Sequence, residues 1–300
     1  MVGRGAGSAE VFAIGLLSVL ATSAACGSRG AALMDGATTC SVGMPPPGAF
    51  TSVVTGDGFA CGIRGDGTVA CWGDTTGPAT AIPAGPFSQV AFAHDCGCGL
   101  GPSGALACWA CGTPPVARAP GATFQDVGVG EADACARHDD GSIVCWNASY
   151  VPPPNTYLSL SMGAYYACAI EPAARAAVCW DPRAGAGHAT TTQGPFQQVA
   201  AARFAACGIR MDATVACWGL GLVPDMETPP GDQLQEIDMG DYHGCGLRAD
   251  GSAVCWGRDT NGETIPPVGA RFRQISAGVR STCGVLVDGT LVCWGKIANP

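Results

Sequence analysis

Charged residues are scarce in this chain of 300 residues, since Asp, Glu, Lys and Arg together make up only 13%. That is about half the share of an ordinary globular protein, which leaves a long coiled coil or helical bundle without its charged surface. Basic residues are the scarcer kind, because 15 Lys and Arg stand against 24 Asp and Glu, a formal charge of −9. A phosphate backbone is bound by a basic surface. The composition therefore argues against a nucleic-acid partner.

Catalytic motifs are missing as well. The sequence has no Gly-x-Ser-x-Gly elbow, no phosphate-binding loop and no His-Glu-x-x-His pair. Its four histidines (His94, His138, His188 and His243) lie in different parts of the chain. The sequence therefore offers no recognisable pair of a nucleophile and a histidine base. We therefore predict no enzymatic activity, no cofactor and no metal site.

Glycine, proline and cysteine are abundant instead, with 45, 22 and 18 residues. Frequent glycine and proline indicate many turns, and 47% hydrophobic residues leave enough material for a core. Eighteen cysteines are too many for idle thiols in a reducing cytosol. These counts predict a compact, turn-rich and disulfide-bonded protein.

The amino terminus predicts export. Arg4 precedes an apolar run at 11–25, which is too short for a comfortable membrane span and is typical of a signal peptide. Small residues then lead to Cys26, an arrangement that resembles a bacterial lipoprotein box. We expect a signal peptide at 1–25 and a linker at 26–43, lipid-anchored at Cys26. Cleavage by ordinary signal peptidase nearby is the alternative.

Seven copies of one pattern fill the rest of the chain. Every tryptophan follows a cysteine, and successive Cys-Trp pairs are 34 to 38 residues apart. Upstream of each pair lies an apolar residue, which we call the anchor, eleven positions before another cysteine. The seven anchors are Phe50, Phe87, Phe124, Tyr157, Phe196, Leu234 and Phe272. A period of this length with short β-like segments indicates a propeller or a solenoid.

The two cysteines of each copy flank a predicted β-hairpin. Between Cys61 and Cys71 an Asp-Gly turn lies midway, which places the cysteines opposite each other and Ile63 opposite Val69. The other face carries the tryptophan, so both faces are apolar. Blades around a ring bury both faces, whereas a two-layer sandwich leaves one in water. We predict an all-β, seven-bladed β-propeller over 44–297, with one cross-strand disulfide hairpin per blade.

Opposed cysteines on neighbouring strands lie within disulfide reach. The predicted bridges are Cys61–Cys71, Cys98–Cys108, Cys135–Cys145, Cys168–Cys179, Cys207–Cys217, Cys245–Cys255 and Cys283–Cys293. Zinc binding competes with this interpretation, but zinc ligands come as close-spaced couples gathered in fours. Cys96 and Cys111 flank the second hairpin and offer one further bridge. Cys40 stays unpaired if Cys26 carries lipid.

The repeats resemble those of the regulator-of-chromosome-condensation family, for example FRQISAGVRSTCGVLVDGTLVCWG at 272–295 and DYHGCGLRADGSAVCWGRDTNGETIPP at 241–267. The resemblance implies a seven-bladed propeller, in agreement with the count of repeats. The cysteine pairs resemble extracellular members such as plant crinkly-type receptor ectodomains, and β-lactamase inhibitor protein II is a secreted bacterial relative in architecture. The namesake's nucleotide-exchange role does not fit an exported acidic chain. Only His243 lies at the family's usual histidine position, so the resemblance carries over mainly architecture.

A short turn joins the anchor strand of each repeat to the strand of its first cysteine. Equivalent turns of a propeller gather at one end of the ring, and here they combine aromatic with charged residues, as protein-binding surfaces do. The predicted binding face comprises Phe59, Asp95, Asp133, Tyr165, Tyr166, Arg203, Phe204, Asp241, Tyr242, His243 and Arg280. One alternative is that each turn packs locally and its charges are only solvated. A weaker one is that His94, Asp95, Asp133, Asp241 and His243 converge on a metal.

Together these features predict an exported, non-enzymatic propeller that binds an unidentified protein partner at the cell envelope. We expect a monomer that touches membrane only through its lipid anchor, or else a secreted form. An inhibitor of a secreted enzyme, using the same face, is the main alternative. A propeller enzyme with axial carboxylates as acid and base is the third.

Closure of the ring is also predicted. Proline-rich stretches precede several anchors, and Met44-Pro45-Pro46-Pro47 precedes Phe50 in the same way. Proline is tolerated on edge strands. We therefore expect residues 40–48 to dock on the blade that contains Cys283–Cys293.

Overall fold

The computed structural model describes residues 45–77, 80–93, 96–110, 122–131, 134–146, 152–180, 189–219, 231 and 233–297. The expected signal peptide, the linker, Cys26 and Cys40 lie outside these ranges, and so do Asp95, Cys111 and Asp133. Within the described ranges, no helix is long and apolar enough to cross a membrane.

The described residues form seven separate antiparallel sheets, one for each repeat. Blade 1 consists of β1 (Phe50–Thr55), β2 (Phe59–Arg64) and β3 (Val69–Gly73); blade 2 of β4 (Gln89–Phe92), β5 (Gly97–Leu100) and β6 (Leu106–Trp109); blade 3 of β7 (Phe124–Val129), β8 (Ala134–His138) and β9 (Ile143–Cys145). Blade 4 consists of β10 (Leu160–Met162), β11 (Ala167–Ile170), β12 (Ala177–Trp180) and β13 (Ala189–Thr192). Blade 5 consists of β14 (Phe196–Ala201), β15 (Ala205–Arg210) and β16 (Val215–Gly219); blade 6 of β17 (Glu236–Met239), β18 (His243–Leu247) and β19 (Ala253–Gly257); blade 7 of β20 (Phe272–Ala277), β21 (Ser281–Leu286) and β22 (Leu291–Gly295). The prediction of a seven-bladed, all-β propeller is confirmed.

The hairpin register is the predicted one. Cys61 pairs with Cys71 and Ile63 with Val69 across β2 and β3. All seven predicted disulfides are present, with Cα–Cα distances of 4.0 to 4.1 Å, including the fourth with its one extra residue. Cys96 is also disulfide-bonded, but its expected partner Cys111 lies outside the described residues, so that pairing stays a prediction.

In five of the seven blades the anchor packs against a glycine in the middle strand of its own blade. The ring of Phe272 lies so close to Gly284 that a Cβ there would be 2.4 Å from the ring. Phe50 stands in the same relation to Gly62, where a Cβ would be 2.5 Å away. In these five blades anchor and glycine recur together because the anchor takes the space of a side chain on the middle strand; blades 3 and 4 have Ala136 and Ala169 at that position.

The ring is closed by seven equivalent junctions. The first strand of each blade lies against the first strands of both neighbouring blades, and β20 of blade 7 lies against β1 of blade 1. The Phe50 N–H binds the carbonyl of Gly289 at 2.8 Å, as the Phe87 N–H binds that of Gly67. Residues 45–49 form no strand, and residues 40–44 lie outside the described ranges, so docking of 40–48 on blade 7 stays a prediction.

Candidate functional site

Seven turns, each joining the first strand of a blade to its middle strand, meet at one end of the ring; we call this end the turn face. The third strand of a blade ends there too, since the N–H of Arg258 binds the carbonyl of Tyr242 and that of Lys296 binds the carbonyl of Arg280, both at 2.8 to 2.9 Å. The hairpin turns between middle and third strands lie at the opposite end, which we call the hairpin end.

Arg203, in the turn of blade 5, contacts side chains of several other blades at the turn face. Its Nη1 donates to Oδ2 of Asp241 in blade 6 at 2.8 Å, and its Nη2 is 3.7 Å from Oε1 of Glu131 in blade 3. The same Nη2 is 3.5 Å from the hydroxyl of Tyr165 in blade 4. One guanidinium thus contacts side chains from blades 3, 4 and 6, which fixes its position over the mouth of the ring.

Two aromatic rings lie beneath this guanidinium. Tyr165 and Phe204 stack nearly parallel, with centroids 5.6 Å apart and planes 12° apart. The Arg203 guanidinium carbon is 4.9 Å from the Tyr165 centroid and 5.4 Å from that of Phe204. Stacked rings with a cation on their π-face make a stable arrangement. The three side chains form one half-buried, ordered cluster.

A second ion pair crosses from blade 7 to blade 1. Arg280 Nη2 lies 3.3 Å from Oδ1 of Asp57. Burial raises the pKa of Asp241 above its usual value; Arg203 opposes this shift, whereas the charge of Asp57 adds to it. The charge of Asp57 in blade 1 therefore reaches the carboxyl group of Asp241 in blade 6. In blade 6, Arg258 lies over the Tyr242 ring at 4.9 Å.

Three residues of the predicted face are buried and have to be removed from its exposed part. Phe59 is 3% exposed and packs edge-on against Phe92 with centroids 5.5 Å apart. Tyr166 is 7% exposed and its hydroxyl reaches Thr190 of β13. His243 is fully buried. Asp95 and Asp133 lie outside the described residues, and the remaining six predicted residues are at the turn face.

His243 belongs to a hydrogen-bond chain between blades 6 and 7. Its Nε2 is 2.8 Å from Oγ1 of Thr282, and that hydroxyl donates its only proton to the carbonyl of Glu263 at 3.0 Å. Nε2 must therefore carry the proton and donate. The indole of Trp294 donates to the same carbonyl. Burial lowers the pKa of His243 to about 4, so the ring is neutral and structural.

Sequence reasoning missed Arg258 and Glu263, which both follow Trp256. This segment looked like a variable loop. The hairpin register contained the missing information for Arg258, because a residue two positions after the tryptophan must end beside the turn of its own blade. The role of Glu263 could not be inferred in this way, since its carbonyl accepts bonds from Thr282 and Trp294 of blade 7.

Chemically, the turn face offers ordered aromatic surface and paired charges. Glu131 and Asp241 both form ion pairs with Arg203. The two carboxylates therefore do not resemble the acid and base of a catalytic pair. Among the described residues, no three His, Cys, Asp or Glu side chains come together as metal ligands would. This arrangement is suited to non-covalent contact.

Comparisons with known proteins agree with the geometry. A family model for the regulator of chromosome condensation (RCC1) repeat matches residues 235–263, which span most of blade 6. The propeller is therefore similar to the regulator-of-chromosome-condensation repeat proteins, with one of its seven repeats matched by the family model. No protein of curated function matches it in sequence.

Two plant receptor ectodomains are similar over most of the propeller. The CRINKLY WD40 ectodomain of receptor kinase ACR4 from Arabidopsis thaliana has a TM-score of 0.69 and 26% identity, over 85% of this chain and 96% of that one. The ectodomain of receptor kinase CR4 from Physcomitrella patens has a TM-score of 0.70 and 23% identity, over 85% and 75%. Prp20p from Saccharomyces cerevisiae, with a TM-score of 0.53 and 13% identity over 81% and 71%, shares the fold alone.

Proposed function

We propose that this exported propeller is a non-enzymatic scaffold that binds a protein partner through its turn face. The observation that carries the proposal is the Arg203 cluster, in which one guanidinium orders Tyr165 and Phe204 at the mouth of the ring. Tyrosine and arginine are enriched among the residues that dominate protein–protein binding. A partner that meets side chains already fixed in place loses less conformational entropy on binding.

The charges of the turn face favour a protein over a nucleic acid. Carboxylates of Asp57, Glu131 and Asp241 alternate with the guanidiniums of Arg203 and Arg280, and the ion pairs join different blades. A nucleic-acid surface would present one continuous basic patch. Charges of both signs around apolar rings correspond to the mixed surface of another protein.

Similar proteins support a binding role. Two structures similar to this chain are receptor ectodomains, and Prp20p is described together with its binding to Gsp1p and histones. These are properties of those proteins; a partner for this chain follows only as a proposal. The finer expectations, a monomer anchored by lipid at Cys26 in the cell envelope, are part of the same proposal, and seven disulfides are in keeping with an oxidising compartment.

Capture of partners from the native cell envelope tests the proposal, with the exported chain as bait. We expect the Tyr165→Ala/Phe204→Ala double variant to retain at least tenfold less partner, because truncation of central aromatic residues typically costs about 2 kcal/mol or more. A Met211→Ala/Val287→Ala double variant is the matched control, since both residues are exposed apolar side chains at the hairpin end.

The outcome decides between surfaces. Loss of capture in the aromatic variant alone supports the turn face. Equal capture by both variants and the wild type would contradict it. If the captured partner is an enzyme whose activity falls on binding, the inhibitor alternative is the correct form of the proposal.

A further inference from the structure

Glutamine side chains join neighbouring blades at the centre of the ring. Gln198 in β14 donates from Nε2 to the carbonyl of Ile237 at 2.8 Å and accepts the Ile237 N–H at 3.0 Å through Oε1. One amide thus binds both backbone groups of a residue in the next blade, as a neighbouring strand would. The same two bonds join Gln274 to Val53 and Gln89 to Val127. All three glutamines lie two residues after the anchors of their blades.

Glutamate replaces glutamine in the seam between blades 6 and 7. Glu236 accepts the Ile275 N–H through Oε1 at 2.9 Å, which reproduces one of the two bonds. The Ile275 carbonyl is bound at 2.9 Å by Nε2 of Gln274 and has a second lone pair. An ionised carboxylate can only accept, whereas a protonated carboxyl also donates one O–H. Only protonated Glu236 can therefore make both bonds of the glutamine clamp.

A second carboxyl lies two residues further along the same strand. Asp238 accepts the Ala277 N–H of blade 7 through Oδ2 at 2.8 Å and the Met239 N–H through Oδ1 at 2.9 Å. At the equivalent position of other seams, a neutral serine hydroxyl accepts this bond; Ser161 and Ser276 are the examples. The seam between blades 6 and 7 thus contains two carboxyl groups where other seams have an amide and a hydroxyl.

The charged and titratable groups of the strands packed against β17, and of the turn after it, are each engaged elsewhere: Arg210, Asp241, His243 and Arg273. Arg210 lies over the Phe196 ring, Asp241 pairs with Arg203, and Arg273 donates to the carbonyl of Phe50 in blade 1. His243 is neutral and bonded to Thr282. Among the described residues no cation pairs with Glu236 or Asp238.

Burial without a cation favours the protonated forms of both carboxyl groups. Burial, and to a smaller extent the charge of Asp238, raise the pKa of Glu236 to about 7, against the opposing bond from the Ile275 N–H. Burial likewise raises the pKa of Asp238 to about 6, although the Ala277 and Met239 N–H groups and Ser276 oppose it. The hydrogen-bond geometry and the charge environment therefore point the same way.

We propose that Glu236 is a proton-binding site that controls the joint between blades 6 and 7. With its proton, the side chain clamps both backbone groups of Ile275; without it, one bond remains and negative charge is added to the seam. The joint is thus tight in acid surroundings and loosened in alkaline ones. Because β17 continues directly into Asp241 and Tyr242, the proton acts on a strand that carries part of the turn face.

The sign of the pH dependence follows from the raised pKa of the folded state. Below the ordinary carboxyl pKa both folded and unfolded chains hold the proton, and the clamp contributes fully. As pH rises to about 7 the unfolded chain releases the proton first, so stability falls. The test is calorimetry of the full exported chain in low salt, which gives the melting temperature of Glu236→Gln and of the wild type at each pH. We expect the difference, variant minus wild type, to rise by roughly 5 °C between pH 5 and 8. Taking this difference removes the opposite trend that His243 contributes.

Two further variants keep the test sharp. Gln198→Glu places the same acid in the seam between blades 5 and 6, and we expect it to create a new fall in melting temperature over the same pH range. Glu171→Gln, in the hairpin turn of blade 4, is the matched control and should leave the pH profile parallel to that of the wild type.

A measurement independent of unfolding is the titration of the Glu236 carboxyl carbon by NMR, assigned by comparison with Glu236→Gln. A midpoint near 7 supports the proposal. A midpoint near the ordinary glutamate value would overturn it, and so would parallel pH profiles of the wild type and Glu236→Gln. Neither outcome bears on the proposed partner binding, which is read from capture by the aromatic variant.

Discussion

The two ends of the ring differ in how far their turns repeat from blade to blade. At the hairpin end the same turn recurs, with an aspartate whose carboxylate accepts both the N–H and the hydroxyl of the residue two positions on, in the pairs Asp66–Thr68, Asp140–Ser142, Asp212–Thr214, Asp250–Ser252 and Asp288–Thr290. At the turn face no two turns share a sequence, and the polar contacts run between blades, as from Arg203 to Asp241.

We propose that this difference separates the residues that build the fold from those that form the binding surface. The hydroxyl and backbone N–H of Thr68 lower the pKa of Asp66, so that carboxylate is already satisfied within its own turn. Burial raises the pKa of Asp241 at the turn face, where its partner comes from another blade. Repeated residues make each blade, and the residues that depart from the repeat make the surface that distinguishes this protein.

The largest expected effect comes from a substitution at a position that is repeated between blades. Gly284→Val would put a side chain 2.4 Å from the Phe272 ring, and overpacking of this kind costs about 3 kcal/mol. We expect a large loss of stability in urea unfolding. Gly77→Val is the control, because no atom lies within 4 Å of the added Cβ. Equal stability of the two variants would show that the anchor does not need its glycine.

His243 tests where the turn face ends, because it directly follows Tyr242 in sequence but is buried. His243→Ala removes a buried side chain and its bond to Thr282, so we expect a loss of about 2 kcal/mol at pH 7. Since the folded-state pKa of about 4 lies below the ordinary value, the wild type loses this contribution as pH falls from about 6.5 to 4.

Partner capture by the folded His243→Ala variant should equal that of the wild type. A capture defect without a stability defect would return His243 to the binding face.

The smallest expected effect concerns one imperfect hairpin turn. Ala213 has a φ of 68°, at the position where Gly67, Gly251 and Gly289 have positive φ. A left-handed conformation costs a residue with a Cβ about 1 kcal/mol. Ala213→Gly should therefore raise stability slightly, and Gly251→Ala should lower it. Changes in the same direction for both variants would contradict this account of the repeated turn.

The cysteine spacing and the Asp-Gly turns were enough to predict the blades, the register and the disulfides, because these depend on contacts within one repeat. The errors at the turn face have a common cause. Phe59, Tyr166 and His243 all lie nine residues after their anchors, two before the buried cysteine, so strand alternation turns them inward. Tyr165, Phe204 and Tyr242 lie eight residues after theirs and are half-buried at the surface. Alternation counted back from the cysteine would have separated the two groups.

Contacts between blades were beyond sequence reasoning. Gln198 and Glu236 look like ordinary polar residues of half-buried strands, and their partners lie 39 residues away. Arg203 of blade 5 is similar, since Glu131 belongs to blade 3 and Asp241 to blade 6. Such pairings need the closed ring before they become visible.

Hydrogen–deuterium exchange of the propeller with and without its captured partner tests most directly whether the turn face, and not the hairpin end, binds the partner. We predict slowed exchange in the turn-face segments 163–166, 202–206 and 240–243, with no change in the hairpin turns at 64–68, 210–214 and 286–290. Slowed exchange in the hairpin turns with an unchanged turn face would contradict the claim that the departures from the repeat form the binding surface.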